Sequence, residues 1–197
     1  MKRLVVATHN QGKVREFRQL FSKYDIETLS LEDLNQDVPE VEETGVTFWE
    51  NAQLKAETIS SLLNMPVIAD DSGLEVDALE GKPGVYSARY AGEPKNDKNN
   101  LEKVLSELNG EQNRKARFVC VLALSLPGEE VIFERGTCEG RLAEQAQGET
   151  GFGYDPIFIP DGYNRTMAEI GADEKNKISH RSEALEKIET TIRELLK

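Results

Sequence analysis

Apolar residues recur along the chain with two periods, and the changes of period divide it into elements. Arg3–Thr8 is a short apolar run of strand length. Asn10 follows as a helix cap, and Val14, Phe17, Leu20 and Phe21 then recur at helical spacing. Ile26–Leu31 reads as a second strand, and Asp37–Gly45, acidic and carrying Pro39, as loop. Thr47-Phe48-Trp49-Glu50 fits a capping box and opens a helix to about Leu63, with Phe48, Ala52, Ala56, Ile59 and Leu63 on one face. Asn64-Met65-Pro66 ends it. Val67–Ala69 is a short strand running into Asp70-Asp71-Ser72-Gly73, and Glu80–Pro94, rich in Gly and Pro, reads as a long functional loop. Asp97–Leu108 is a helix with Leu101, Val104, Leu105 and Leu108 inward. Arg117–Leu126 and Val131–Cys138 form a hairpin around Pro127-Gly128-Glu129-Glu130. Gly148–Asp155 leads into the strand Pro156–Ile159, and Ser182–Leu196 is a terminal helix with Leu185, Ile188, Ile192 and Leu195 inward. Helices interleaved with strands predict an α/β protein, a long mixed sheet flanked by helices. No internal repeat or low-complexity tract interrupts it.

Composition narrows the function classes. A net charge of −12 opposes non-specific binding to nucleic acid or to an anionic membrane. A nucleotide remains possible as substrate, because a few converging Lys and Arg make a local positive pocket. The apolar run Leu4–Ala7 after Lys2 and Arg3 is too short for a signal peptide. The longest apolar run, Phe118–Leu126, is too short to span a bilayer. The expectation is a cytoplasmic protein. Its two cysteines, Cys120 and Cys138, face opposite sides of the hairpin if Leu126 is level with Val131, and so remain unbonded.

Five places carry chemistry. Thr8-His9-Asn10-Gln11-Gly12-Lys13 spans a strand-to-helix junction, and Lys13 falls where the helix dipole favours an anion. The position suits a phosphate shared between lysine and backbone; a solvated surface lysine fits the pattern too. Lys55 lies on or beside the apolar stripe of its helix, where it needs a partner or snorkels past the edge. Asp70-Asp71-Ser72-Gly73 places adjacent carboxylates at a strand end, good for a hard cation but also for a turn. Successive strand residues point oppositely, so the two acids should have different tasks. Glu42-Glu43 is a further ligand pair or a solvated acidic loop. Gly151-Phe152-Gly153-Tyr154-Asp155-Pro156 offers close backbone approach and two rings able to stack on a base, or a strand-entry turn. Lys175 with Ser179-His180-Arg181 repeats the pattern of cations at a helix start, with one of the chain's two histidines. Cations at two helix starts and carboxylates at one strand end are what a phosphorylated substrate and Mg²⁺ require. Nothing resembles a Ser-His-Asp triad or a zinc motif.

The chain resembles the inosine/xanthosine triphosphate pyrophosphatase family over essentially its whole length. Six motifs carry the likeness in order: Thr8-x-Asn10-x-x-Lys13; Glu43-Thr44-Gly45 with Phe48-x-Glu50-Asn51-Ala52 and Lys55-Ala56; Ala69-Asp70-Asp71-Ser72-Gly73-Leu74; Tyr86-Ser87-Ala88-Arg89-Tyr90; Gly151–Pro156; and Ser179-His180-Arg181. His9 departs from it, since small or amide residues are more usual there. The resemblance implies one domain over residues 1–197, an elongated α/β fold with two lobes around a central cleft, and a homodimer. It implies Mg²⁺-dependent hydrolysis of ITP, dITP and XTP between the α- and β-phosphates, with the purine triphosphate as partner. It makes Asp71 the general base and a metal ligand with Glu43, the ligands being drawn from Glu42, Glu43, Asp70 and Asp71. Thr8, His9, Asn10, Gln11, Gly12, Lys13 and Lys55 would hold the triphosphate. Ser72, Phe152, Gly153, Tyr154, Asp155, Lys175, His180 and Arg181 would bind the nucleotide, the last group largely at the base. Arg181 can only donate, which suits the 6-oxo acceptor of hypoxanthine; at a helix start it can also reach phosphate. A Maf-type nucleotide pyrophosphatase is opposed by Ser179-His180-Arg181. A silent nucleotide sensor is opposed by Asp70-Asp71 and Glu43.

Overall fold

The computed structural model describes residues 2–22, 24, 26–34 and 37–195, apart from the side chains of residues 2, 20, 190 and 193–195. The first three strands are β1 (Lys2–Val6), β2 (Ile26–Ser30) and β3 (Val67–Val76). Three more follow, β4 (Lys115–Ser125), β5 (Ile132–Leu142) and β6 (Phe158–Pro160). They join in one sheet in the order β2-β1-β3-β4-β5-β6. β1 runs parallel to β2 and β3, and β5 antiparallel to β6, so the sheet is mixed as expected. The helices are α1 (Gln11–Phe21), α2 (Phe48–Leu63), α3 (Asp97–Glu107), α4 (Ala172–Ile178) and α5 (His180–Leu195). Among the described residues, no helix is long and apolar enough to cross a membrane.

The helix starts follow from local chemistry. Asn10 stands in extended conformation, and its side chain accepts from Gly12 N at 2.9 Å and Lys13 N at 3.2 Å. The predicted capping box closes on α2: Thr47 Oγ1 accepts from Glu50 N, and Glu50 Oε2 accepts from Thr47 N. Asn64 ends α2 in the left-handed region, just before Pro66.

The chain divides into two compact units, each with its own core. Unit 1 comprises residues 1–71, 120–135 and 181–197. There Phe17 and Phe21 of α1 and Leu185, Ile188 and Ile192 of α5 pack with Leu4, Ile68 and Leu122 from the strands. Unit 2 comprises residues 72–119 and 136–180. There Leu101, Val104 and Leu108 pack with Val76, Phe118, Leu142, Ile157 and Phe158. Each such side chain contributes about 1.5–3 kcal/mol by leaving water. The two cysteines form no disulfide and belong to different clusters, Cys120 in unit 1 and Cys138 in unit 2. The stripe positions Leu20 and Leu195, and the helix end at Leu196, lie outside the described residues or side chains.

Several boundaries differ from expectation. β3 does not stop at Ala69 but continues through Asp70-Asp71-Ser72-Gly73 to Val76. The turn propensity of that tetrad is overridden because both carboxylates find partners from other segments. β5 runs on to Leu142, four residues past the expected end at Cys138. The last strand shrinks to Phe158–Pro160, since Ile157 N and Phe158 N both bond back to Tyr154 O in a tight turn. The Glu80–Pro94 loop contains the 3-10 helix Gly84–Arg89. Lys175 is not at a helix start: it sits in the last turn of α4, where a cation is favoured. His180 and Arg181 are the first residues of α5.

Candidate active site

Unit 1 gathers most of the candidate side chains. β3 pairs with β1 as far as Val6 and Ile68, so Asp70 and Asp71 begin two residues past that pairing, beside the turn that leads into α1. The end of parallel strands is where α/β folds place their chemistry.

Asp70 points to α1. Its Oδ2 lies 2.8 Å from Lys13 Nζ and 3.4 Å from Arg181 Nε. Arg181 also holds Glu16, one turn beyond Lys13 on α1. Asp70 is 0% exposed and Arg181 3%. Burial alone would raise the Asp70 carboxyl, but the charges of Lys13, Arg181 and Lys55 outweigh it and hold the group well below the ordinary carboxylate range. Burial likewise works against the Arg181 cation, and Glu16 and Asp70 more than compensate. The anion that Lys13 requires at its helix start is thus supplied by Asp70. Two first-turn amides of α1, Gly12 N and Lys13 N, are taken by the Asn10 side chain. Thr8 Oγ1 accepts from Asn10 N and shapes the same turn. His9 is exposed, and Gln11 donates to Glu32 at the surface.

Asp71 points to α2. Asn51 Nδ2 donates to Asp71 Oδ2 at 3.1 Å, and Asn51 Oδ1 accepts from Gly45 N at 2.8 Å. One amide thus ties the strand to the loop that carries Glu43. That approach needs glycine, since a Cβ on Gly45 would fall 2.6 Å from Asn51 Oδ1. Lys55 Nζ lies 2.5 Å from Glu43 Oε1 and 3.9 Å from Asp71 Oδ1. Burial opposes the Lys55 cation, but Asp71, Glu43 and Asp70 prevail and raise its pKa. Asp71 moves the other way from Asp70: burial pushes it up, Lys55 and Lys13 pull it down, Glu43 adds to the rise, and the net shift is upward. The two acids thus have different surroundings, Asp70 toward α1 and Asp71 toward α2. Glu42 is exposed, whereas Glu43 is half-buried against Lys55.

The donor set fits Mg²⁺. Glu43 and Asp71 offer hard carboxylate oxygens close to the same ammonium, so one small cation site can draw on both. Among the described residues no group of three or more His, Cys, Asp or Glu side chains forms a cage. Mg²⁺ does not need one, since it commonly binds through one or two carboxylates, substrate phosphates and water. Oδ2 of Asp70, committed to Lys13 and Arg181, is poorly placed to act as a further ligand.

Unit 2 organises the glycine-rich segment. Asp155 Oδ2 accepts from Phe152 N at 3.0 Å and from Lys175 Nζ at 2.7 Å. The Lys175 ammonium also lies 4.7 Å from the Phe152 ring centroid, a cation–π contact. Gly151 has φ +82°, and a Cβ there would come within 2.2 Å of Asp155 Oδ2. Gly153 N donates to Asp97 at the start of α3. Phe152 is half-exposed and Tyr154 is not: Tyr154 is buried in the core, with its hydroxyl donating to Ser87 O at 2.7 Å. The expectation of two stacking rings is therefore corrected to one, because the Tyr154 hydroxyl is satisfied inside the unit. His180 is buried and stacks on Phe118, with centroids 5.0 Å apart. Ser72 is half-buried.

Asn51 and Glu16 were not among the expected site residues. Asn51 was detectable as a polar residue interrupting the apolar face of α2, whereas Glu16 gave no local signal.

The family model that matches residues 4–191 is that of the Ham1 family. The chain belongs to the Ham1 family. Among similar proteins, one from Oceanobacillus iheyensis named dITP/XTP pyrophosphatase is 56% identical, with 96% of this chain and 97% of that protein covered. One of the same name from Bacillus subtilis is 55% identical, covering 95% and 96%. Among solved structures, the Staphylococcus aureus Ham1 protein is 46% identical with a TM-score of 0.87, covering 98% of this chain and 100% of that one. A HAM1 protein from Coxiella burnetii is 40% identical with a TM-score of 0.88, again covering 98% and 100%. Membership of the Ham1 family stands in place of the Maf-type alternative.

Proposed function

We propose that this chain hydrolyses non-canonical purine nucleoside triphosphates (dITP, ITP and XTP) to the monophosphate and pyrophosphate, with Mg²⁺, in the cytoplasmic nucleotide pool. Ham1 membership and relatives named dITP/XTP pyrophosphatase over nearly their full length support the reading. The observation that carries it is Asp71. It is a buried carboxyl held by Asn51 and flanked by Lys55, which is itself bonded to Glu43. A carboxylate fixed in this way is placed to take a proton from a water molecule.

In this reading Asp71 takes a proton from a water that attacks the α-phosphorus. The bond from that phosphorus to the bridging oxygen breaks, and pyrophosphate leaves with the oxygen. Phosphoryl transfer of this kind relies on charge neutralisation and alignment more than on covalent catalysis. Lys13 and Lys55 supply positive charge toward the triphosphate, with Thr8, His9, Asn10, Gln11 and Gly12 forming the turn around it. Glu43 and Asp71 would hold Mg²⁺, which when bound supplies further neutralisation of phosphate charge. Phe152 offers a ring face steadied by Lys175, and Gly153, Asp155, Ser72, His180 and Arg181 complete the proposed nucleotide contacts.

The test is product analysis. dITP with Mg²⁺ is expected to yield dIMP and pyrophosphate over many turnovers, with oxygen from the solvent entering dIMP. Orthophosphate with dIDP as first products would move the cleaved bond and overturn the reading. A single stoichiometric binding event without turnover would favour a nucleotide sensor. A homodimer belongs to the same proposal. Light scattering is expected to give twice the 22.1 kDa chain mass, and the monomer mass would remove that part.

A further inference from the structure

We propose that Asp70 is a positioning residue for the triphosphate. Through its buried carboxylate it holds the Lys13 ammonium at the mouth of α1, and Arg181 and Glu16 anchor that carboxylate in turn. The inference rests on the reading of Lys13 as a triphosphate contact and adds a role for an acid that the proposed chemistry does not otherwise use.

Lys13 occupies the third helical position of α1, whose first turn contains no acid. The dipole there disfavours a cation, and a lysine side chain has many rotamers that point into solvent. Lys13 is nevertheless only 15% exposed and lies 2.8 Å from Asp70 Oδ2. An ammonium has three donors. One can stay on Asp70 while the others meet phosphate oxygens, so the anchor need not be given up when substrate arrives. Asp70 is itself held from behind. Arg181 Nε lies 3.4 Å from the same oxygen, and its Nη1 bonds Glu16 on α1. The contacts therefore run from Lys13 through Asp70 and Arg181 to Glu16 and back to the helix that carries Lys13. All four residues belong to unit 1. With the lysine placed in advance, binding does not have to order it, and affinity for the triphosphate rises accordingly.

The experiment is a double-mutant cycle on dITP hydrolysis, with Lys13→Ala, Asp70→Asn and the two combined, alongside competitive inhibition by pyrophosphate. Lys13→Ala is expected to lower kcat/KM by roughly tenfold or more. Asp70→Asn should raise KM by roughly tenfold with a smaller change in kcat, and weaken pyrophosphate inhibition in parallel. In the Lys13→Ala background, Asp70→Asn should change kcat/KM by no more than about twofold. Should the asparagine variant not fold, Asp70→Glu, which keeps the buried charge but displaces it, takes its place in the cycle with the same expectation. Losses that multiply in the double variant, or an Asp70 variant with unaltered KM, would overturn the positioning role while leaving Lys13 as a contact. An unaltered Lys13→Ala variant would instead remove the triphosphate contact itself, and this inference with it.

Discussion

Asp71→Asn is expected to lower turnover of dITP by about 10²–10⁴-fold, the range for loss of a general base, while the protein stays folded. Asparagine preserves the shape and can still accept the hydrogen bond from Asn51 Nδ2. Lys55 keeps its contact with Glu43 at 2.5 Å, so the substitution strands no lysine. The sign of the stability effect follows from linkage. The folded environment raises the Asp71 pKa, so folding disfavours its charged form, and a neutral amide gives up no stabilising charge. Turnover and urea midpoint measured on the same preparation check both halves. Near-normal turnover would transfer the base role to Glu43, and a collapsed midpoint would make Asp71 structural.

Arg181→Ala is expected to have the largest effect on stability, a loss of about 3–5 kcal/mol, as is usual when one partner of a buried ionic group is removed. Asp70 and Glu16 would lose the guanidinium that joins them, and Asp70, at 0% exposure, has no access to water in exchange. Arg181→Lys keeps the charge without the fork that spans two carboxylates, and should recover only part of the loss. Denaturant midpoints decide it: a change under about 1 kcal/mol would mean the network contributes no more than exposed pairs do. The same variants bear on the proposed contact with the base. If Arg181 also donates to a 6-oxo group, the ratio of kcat/KM for dITP over dATP falls in Arg181→Ala; if it does not, the ratio is unchanged.

The helices of unit 1 were legible because their signals are local. Asn10, the Thr47–Glu50 box and the stripes Phe48–Ala52–Ala56–Ile59 and Leu185–Ile188–Ile192 each state a start or a buried face within a few residues. The acids of β3 were legible as chemistry but not as strand. Asp-Ser-Gly favours a turn unless its carboxylates are satisfied at a distance, and Arg181 stands 111 residues from Asp70. The same distance conceals Glu16, which meets Arg181 across 165 residues. α4 leaves little trace in the sequence because a seven-residue helix of mixed charge shows too little periodicity. At Tyr154 a ring in a glycine-rich segment suggests stacking, whereas the chain delivers Ser87 O to its hydroxyl.

The interior position of β3 has a consequence for how faithfully the site is built. β3 has β1 along one edge and β4 along the other. A shift of this strand by one residue would turn every side chain to the opposite face. A shift that carried Asp71 to the place of Asp70 would set it against Lys13 and Arg181 and bring Ser72 to Asn51 and Lys55. The place beside Lys55 would then hold a hydroxyl in place of a carboxylate, an error that Lys55, still paired with Glu43, would not by itself prevent. The error is instead barred by the backbone, because a strand hydrogen-bonded on both edges cannot slip without breaking two ladders at once. The identity of the proposed base is thus stored in strand register, and the neighbours β1 and β4 are what hold it there.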